Sequence, residues 1–244
     1  MGIDMYYYPK KLVKYIINMI GFEIISIKRS PNHNLLGLKN YQIRSIIDVG
    51  ANSGQFAKAI ATYFPEAVIY CIEPLPDVFK QLNCWAIKRN GKVKTFNYAI
   101  GDSQGISEII LHTDHNYSSS LLRTTDYAKS IYPQMKRQLP LTVNVTTLDS
   151  LVDGLSEPLV GDILIKLDVQ GYEDRVIRGG METLRKARAC ILEINLDRLY
   201  EYQADFQNLT NQLYSLGYRY IGNIDQTYAG DGHVIFIDSV FIKH

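Results

Sequence analysis

The run Ser45-Ile46-Ile47-Asp48-Val49-Gly50-Ala51-Asn52-Ser53-Gly54-Gln55 restricts this chain to few folds. Its first five residues are β-branched or apolar apart from Ser45 and Asp48, which is the composition of a strand covered on both faces. Glycines then open a turn, and Phe56, Ala59, Ile60 and Phe64 recur at helical spacing until Pro65 stops the pattern. A strand, a glycine-rich turn and a helix make the first unit of a parallel α/β sheet. At the carboxyl end of such a strand a ligand can approach the backbone and meet the free N–H groups of the helix, so nucleotide-like molecules bind there.

The pattern repeats. Ala67-Val68-Ile69-Tyr70-Cys71-Ile72 reads as a second buried strand with Glu73-Pro74 at its tip, placed where a carboxylate can accept hydrogen bonds from both ribose hydroxyls. Residues 76–88 are helical in pattern, and residues 93–100 read as a third strand ending in Gly101-Asp102. Parallel right-handed crossovers bring these tips to one edge. Further on, Asp162-Ile163-Leu164-Ile165-Lys166-Leu167-Asp168-Val169 is a strong fourth strand, followed by a helix over 173–186 that Gly179-Gly180 interrupts or breaks. Residues 189–194 form a fifth strand with Glu193 near its tip, Phe206, Leu209, Leu213 and Leu216 mark a last helix, and residues 218–224 and 239–243 pair as a closing hairpin.

Between these elements, residues 106–112 alternate like an edge strand, Asn116-Tyr117-Ser118-Ser119-Ser120 is a polar loop, and residues 123–140 are charged, aromatic and punctuated by proline. The stretch 106–140 reads as an insertion over the crevice, the natural place for choosing a substrate. At the other end of the chain, Leu12, Val13, Ile16, Ile17 and Ile20 make an apolar helix face over 9–20, with Lys10, Lys11 and Lys14 on or near the opposite side. Packing of this helix on the core is the expectation. Peripheral contact with anionic lipid is the alternative. Residues 23–27 read as a short strand and 30–34 as a loop, so 1–40 is an N-terminal extension and 41–244 the main domain.

A chain of 244 residues suffices for one large α/β domain, and its formal net charge of +1 gives no basic footprint for nucleic acid. Cys71, Cys84 and Cys190 are odd in number and widely spaced, as expected of unpaired thiols in a reducing cytoplasm. The apolar run 15–27 is broken by Asn18 and Glu23, and it lacks the features of a signal peptide or a membrane span. The three glycosylation-type triplets at Asn116, Asn144 and Asn208 are expected chance matches.

The turn 50–54 lacks the G-x-G-x-x-G spacing that seats a dinucleotide pyrophosphate. Asp48 before the glycines and Asn52 between them suit a zwitterion with an ammonium and a carboxylate, and S-adenosylmethionine is such a ligand.

Residues 47–56 (IDVGANSGQF), together with Glu73-Pro74, Ala99-Ile100-Gly101-Asp102, Ser118-Ser119-Ser120-Leu121-Leu122, Thr147-Leu148-Asp149, residues 165–173 (IKLDVQGYE), Gly179-Gly180 and Asp238-Ser239-Val240-Phe241, resemble the FkbM family of S-adenosylmethionine-dependent methyltransferases. The likeness runs from about residue 40 to 243. It implies a class I methyltransferase fold, a Rossmann-like three-layer sandwich around a seven-stranded, mostly parallel sheet whose last strand is antiparallel. It further implies O-methylation of hydroxyl groups on sugars, glycans, glycolipids or polyketide-like products. On that resemblance Glu73 holds the ribose beside Pro74, Asp102 lies by the adenine amino group, and Gly50, Asn52 and Gly54, with Asp48, line the methionine end. Asp168 faces the sulfonium and the acceptor.

Methyl transfer to an alcohol needs in-line placement and removal of a proton as the bond forms. Asp168, His112 and His115 are the candidate bases. A divalent metal on Asp168 and Glu193 could also acidify the hydroxyl, but no metal-ligand cluster in the sequence calls for one. An oxidoreductase using NAD and a binding protein without catalysis are the alternative functions.

Overall fold

A computed structural model describes residues 7–23 and 30–243, so the strand expected over 23–27 lies largely outside the described residues. Ten strands are present among them: β1 (Ile43–Val49), β2 (Val68–Ile72), β3 (Val93–Phe96), β4 (Ala99–Ile100), β5 (Gly105–His112), β6 (Gln138–Thr146), β7 (Asp162–Leu167), β8 (Ala189–Asn195), β9 (Arg219–Tyr228) and β10 (Val234–Ile242). The helices are α1 (Tyr7–Met19), α2 (Pro31–Asn34), α3 (Gln55–Tyr63), α4 (Pro76–Ala86), α5 (Asp126–Ile131), α6 (Leu148–Asp153), α7 (Glu173–Gly179), α8 (Met181–Lys186) and α9 (Phe206–Ser215).

Seven strands form one sheet in the order β3-β2-β1-β7-β8-β10-β9. All neighbours are parallel up to β8, and β10 runs antiparallel to both β8 and β9. The last strand of the chain is thus the inverted one, as the class I methyltransferase fold requires.

Alternation along each strand divides the core in two. Ile47, Val49, Ile165, Leu167, Leu192 and Ile194 pack under Leu148, Val176, Leu184, Leu209 and Leu213 of α6–α9. Ile46, Ile69, Leu164, Ile191 and Val240 face Ala57, Ile60, Leu82 and Ala86 of α3 and α4. Helices on both faces account for the nearly continuous apolar strands. By the same parity Asp48, Lys166 and Glu193 lie on the α3 side of the sheet.

Three expectations change. The third strand was read as continuous over 93–100, but it stops at Phe96, and β4 belongs to a separate sheet, β4-β6-β5. Asn97 makes the break: its Nδ2 donates to the carbonyls of Glu73 (2.9 Å) and Pro74 (3.0 Å), turning the chain outward. The insertion is therefore a small sheet of its own, closed by the antiparallel pairing of β5 with β6.

The second change concerns α1. Leu12, Val13, Ile16, Met19 and Ile20 are all exposed by half or more, so this helix face does not pack on the core as expected. Residues 30–34, read as a loop, contain the single helical turn α2.

The long helix expected over 173–186 divides at Gly179-Gly180 into α7 and α8. A Cβ on Gly179 would lie 1.9 Å from the Gly101 carbonyl oxygen, so only glycine permits this helix to touch the end of β4.

Candidate functional site

A cleft of about 540 Å³ opens at the carboxyl edge of the parallel strands, where strand order reverses between β1 and β7. One wall carries Gly50, Asn52, Gln55, Phe56, Glu73 and Pro74; the other carries Lys166, Asp168, Gln170, Glu193 and Asp238. His115, Tyr117, Ser118 and Ser120 of the polar loop and Tyr132 and Met135 after α5 line the mouth of the same cleft. Residues of the 106–140 stretch thus contribute to the lining of the cleft.

The β1 turn is built for close approach. Gly50 has φ +83°, and a Cβ there would lie 1.9 Å from the Asp168 carbonyl oxygen, so the tips of β1 and β7 are in contact. Asn52 sits at φ 45°, its N–H donating to Oε2 of Glu73 (2.9 Å), while the Leu75 N–H donates to Oε1 (2.8 Å). These bonds fix the carboxylate at the β2 tip, and burial pushes its pKa up to about 7 despite them. A carboxylate so held retains lone pairs for hydroxyl donors. The Gln55 and Phe56 amides at the start of α3 have no backbone acceptor outside the helix among the described residues, and both residues line the cleft. An acceptor fixed at the β2 tip and free donors at the α3 N-terminus fit a ligand carrying a ribose and a carboxylate.

Not every expected residue is there. Asp48 is fully buried beneath α3 and outside the cleft, one residue below the end of β1. Neither of its carboxylate oxygens has a close hydrogen-bond partner among the described residues. Burial raises its pKa to about 6, against the attraction of Lys166. It is a counter-charge for that lysine, its register neighbour on β7. Gly54 also lies outside, its α-carbon packed against Leu82 and Trp85. Asp102 accepts from Arg178 Nη2 (3.0 Å) and Nε (3.2 Å) and does not line the cleft. His112 is wholly buried, with Nε2 2.8 Å from Thr124 Oγ1 and Nδ1 3.0 Å from Ser118 Oγ; it holds the serine loop and cannot reach a ligand. Burial lowers its pKa. His115 does face the cleft, with Nδ1 3.1 Å from Ser118 Oγ.

The opposite wall is a polar network that the sequence indicated only in part. Lys166 Nζ lies 2.5 Å from Asp168 Oδ2, and Gln170 Nε2 donates to Asp168 Oδ1 (2.8 Å) and Glu193 Oε1 (2.6 Å). Tyr200, fully buried, donates its hydroxyl to Gln170 Oε1 (2.7 Å) or the Ser118 carbonyl (2.8 Å). Ser120 Oγ donates to the Gln170 carbonyl (2.7 Å), so this one glutamine joins the β7 and β8 tips to the insertion. Gln170 has φ 58°, a conformation that a non-glycine residue holds at a cost of about 1–3 kcal/mol and that clusters at functional sites. Glu173 clamps the turn: its Oε1 accepts from the Val169 (3.0 Å) and Gly171 (3.1 Å) amides.

Lys166 is not among the residues expected at the site, although a lysine inside Ile-Leu-Ile-Lys-Leu is itself a signal, since a buried cation needs partners. Its charge is held well above the usual lysine range by Asp168, Asp48 and Asp238, against desolvation. Burial raises Asp238 to about 6 and, with Asp168 and Asp238, raises Glu193 well above ordinary carboxylates. Among the described residues no group of three or more His, Cys, Asp or Glu side chains is arranged to hold a metal ion.

Comparisons with known proteins identify the family. The family model described as "Methyltransferase FkbM domain" matches residues 48–220. The chain is 31% identical over 178 residues to the 2-O-methyltransferase NoeI of Sinorhizobium fredii, covering 69% of this chain and 70% of that protein. It is 28% identical to the 31-O-demethyl-FK506 methyltransferase FkbM of Streptomyces tacrolimicus, covering 55% of this chain and 58% of the relative. It is 26% identical to the hexuronic acid methyltransferase AglP of Haloferax volcanii, covering 61% and 54%. The chain thus spans little more than half the length of the latter two relatives. The crystal structure of a methyltransferase FkbM from Methylobacillus flagellatus superposes with a TM-score of 0.51 at 12% identity, covering 82% of this chain and 44% of that one, and supports the fold alone. With a family match across most of its main domain, this chain belongs to the FkbM family of methyltransferases.

Proposed function

We propose that the protein transfers a methyl group from S-adenosylmethionine to a hydroxyl group of a sugar, glycan, glycolipid or polyketide-like product. The observation that carries this reading is the cleft itself, which lies within the matched family region and joins a fixed carboxylate acceptor at the β2 tip to free helix donors at the β1 turn. Glu73 would hold the ribose, with Pro74 beside it, and Gly50, Asn52 and the start of α3 would hold the methionine end. Bound there, the cofactor would supply an activated methyl group. The chain's own task would be to orient the acceptor oxygen, shield it from water and remove its proton. Of the residues lining the cleft, Tyr132, Leu121 and Phe236 would give the acceptor apolar surface, and Asp168, Gln170 and Glu193 would give it polar contacts.

The relatives support the acceptor class through their own names, which specify a 2-O position, a 31-O position and a hexuronic acid. Calorimetric titration with S-adenosylhomocysteine and with NAD tests the cofactor: tight binding of NAD alone would replace this reading with an oxidoreductase. Incubation with methyl-labelled cofactor and a panel of glycans and glycolipids tests transfer, with a labelled product expected from the wild type and none from Glu73→Ala at low cofactor concentration.

The exposed apolar face of α1 supports peripheral contact with an anionic bilayer as part of the same reading. All charged residues in this helix are lysines, Lys10, Lys11 and Lys14. No helix among the described residues is long and apolar enough to cross a membrane.

A further inference from the structure

We propose that Glu193 is the group that takes the proton from the acceptor hydroxyl, and that Gln170 is the positioning residue that aims it. The proposal rests on the O-methyl-transfer reading above and assigns the base of that same site.

Of the three bases suggested by sequence, His112 is sealed away from the cleft. Asp168 has both oxygens engaged, one by an ammonium at 2.5 Å and one by the Gln170 amide at 2.8 Å. His115 lines the cleft from the polar loop, where its Nδ1 is already 3.1 Å from Ser118 Oγ.

Glu193 differs from each of these. It lines the cleft from the tip of β8, a rigid central strand, and only Oε1 is bonded within the protein. Oε2 has no hydrogen-bond partner among the described residues and is not among the sealed, unpartnered oxygens, so it can accept from a ligand. The left-handed turn at Gln170 carries its side chain back between the two strand tips, and one amide nitrogen fixes both carboxylates. Tyr200 holds the other end of that amide and thereby fixes which of its ends faces the carboxylates.

The charges around Glu193 come from every element packed against it. They are Lys166 on β7, Asp168 on the following turn, Glu173 on α7 and Asp238 opposite it on β10, with the phenols of Tyr200 and Tyr132 beside them. Burial, together with this excess of carboxylates over one lysine, raises the proton affinity of Glu193, and the wall favours an additional positive charge. In the reaction, the O–H bond breaks and its proton moves to Oε2 of Glu193 as the oxygen forms its bond to the methyl carbon. The carbon–sulfur bond breaks with its electron pair left on sulfur, giving a neutral thioether, an ether and a neutral carboxylic acid. The positive charge that leaves sulfur reappears as the proton on Glu193, so the charge of the site is unchanged.

The test needs no acceptor. Protein labelled with carbon-13 at the glutamate carboxyl carbons is titrated by NMR without ligand, with S-adenosylhomocysteine and with S-adenosylmethionine. One resonance, absent in Glu193→Gln, is expected to titrate well above ordinary glutamates without ligand and with the thioether, and to move its midpoint down by about one pH unit or more when the sulfonium is bound. In Gln170→Ala the midpoint is expected to move while the fold, checked by circular dichroism, is retained. An ordinary midpoint, or the same midpoint with both ligands when both bind, overturns the proposal and leaves the methyltransferase reading standing. Calorimetry on the same samples showing that neither ligand binds removes that reading, and the proposal with it.

Discussion

Asp48→Asn is expected to stabilise the protein at neutral and alkaline pH while leaving cofactor affinity nearly unchanged. Asp48 is completely buried without a close hydrogen-bond partner among the described residues, and its pKa rises from 3.8 to about 6 even with Lys166 nearby. A carboxyl whose folded pKa is raised binds its proton more tightly in the native state. Its contribution to stability is therefore complete below pH 3.8 and is lost as pH rises through about 6. At about 1.4 kcal/mol per tenfold change in proton affinity, the ionised Asp48 costs about 3 kcal/mol at pH 8, about half of that at pH 5 and almost nothing at pH 3. An isosteric amide cannot ionise and escapes that cost, and Lys166 keeps Asp168 as its partner at 2.5 Å. For a chain of this size the melting temperature should rise by about 6–12 °C at pH 8. Urea melts of both proteins at pH 3, 5 and 8 measure the difference. A difference independent of pH, or a variant less stable at pH 8, would refute the assignment of Asp48 as a buried, unpartnered counter-charge. A loss of S-adenosylhomocysteine affinity beyond about threefold, roughly 0.7 kcal/mol, would return it to the cofactor site.

Lys166→Met removes the cation among Asp48, Asp168 and Asp238, and urea melts should show a loss of about 3–5 kcal/mol that is smaller at pH 5 than at pH 8, because the carboxyls can then take protons. Tyr200→Phe leaves the Gln170 amide oxygen and the Ser118 carbonyl without this donor, a cost of about 1–3 kcal/mol in melts; hydrogen exchange should quicken at residues 118–122, and unchanged exchange would sever the link between loop and strand tips. Co-sedimentation should show the wild type on phosphatidylserine vesicles, with little on phosphatidylcholine, and Leu12→Asp combined with Ile16→Asp should abolish binding. Equal binding to both vesicle types would refute the role of the lysines.

The sheet was legible because burial on both faces of parallel strands leaves an unmistakable run such as residues 45–49, and the glycine turn fixes where the strand ends. What such a run hides is height along the strand. Asp48 and Asp168 both stand near strand tips in the sequence, but the register of β1 with β7 sets Asp48 level with Lys166, beneath α3, and Asp168 two residues further out, at the ligand edge. His112 was misread for a related reason. Its alternating strand looked like an exposed edge, and nothing local announces that the loop 116–120 folds back to bury it. The break at Asn97 depends on carbonyls more than twenty residues earlier, beyond the reach of any local pattern. Residues 9–20 show the opposite limit, since amphipathic spacing reveals a face but not whether anything covers it.

The separate sheet β4-β6-β5 begins and ends at one place, because Ala99 pairs with Val145 and the Gly101 N–H donates to the Thr146 carbonyl at 3.0 Å. Everything between, including the serine loop and α5, is a detour whose two ends are already stapled together. Doubling the length of such a detour adds only about 0.6 kcal/mol of closure entropy. The roof of the cleft is thus one cassette whose ends are fixed independently of its length, and an exchange leaves the β1 turn undisturbed where it keeps the bonds of Asn52 to Asn116 (3.3 Å) and of Gln55 to Tyr117 (2.6 Å). Residues 102–144 are the natural boundaries for a chimera that exchanges this cassette.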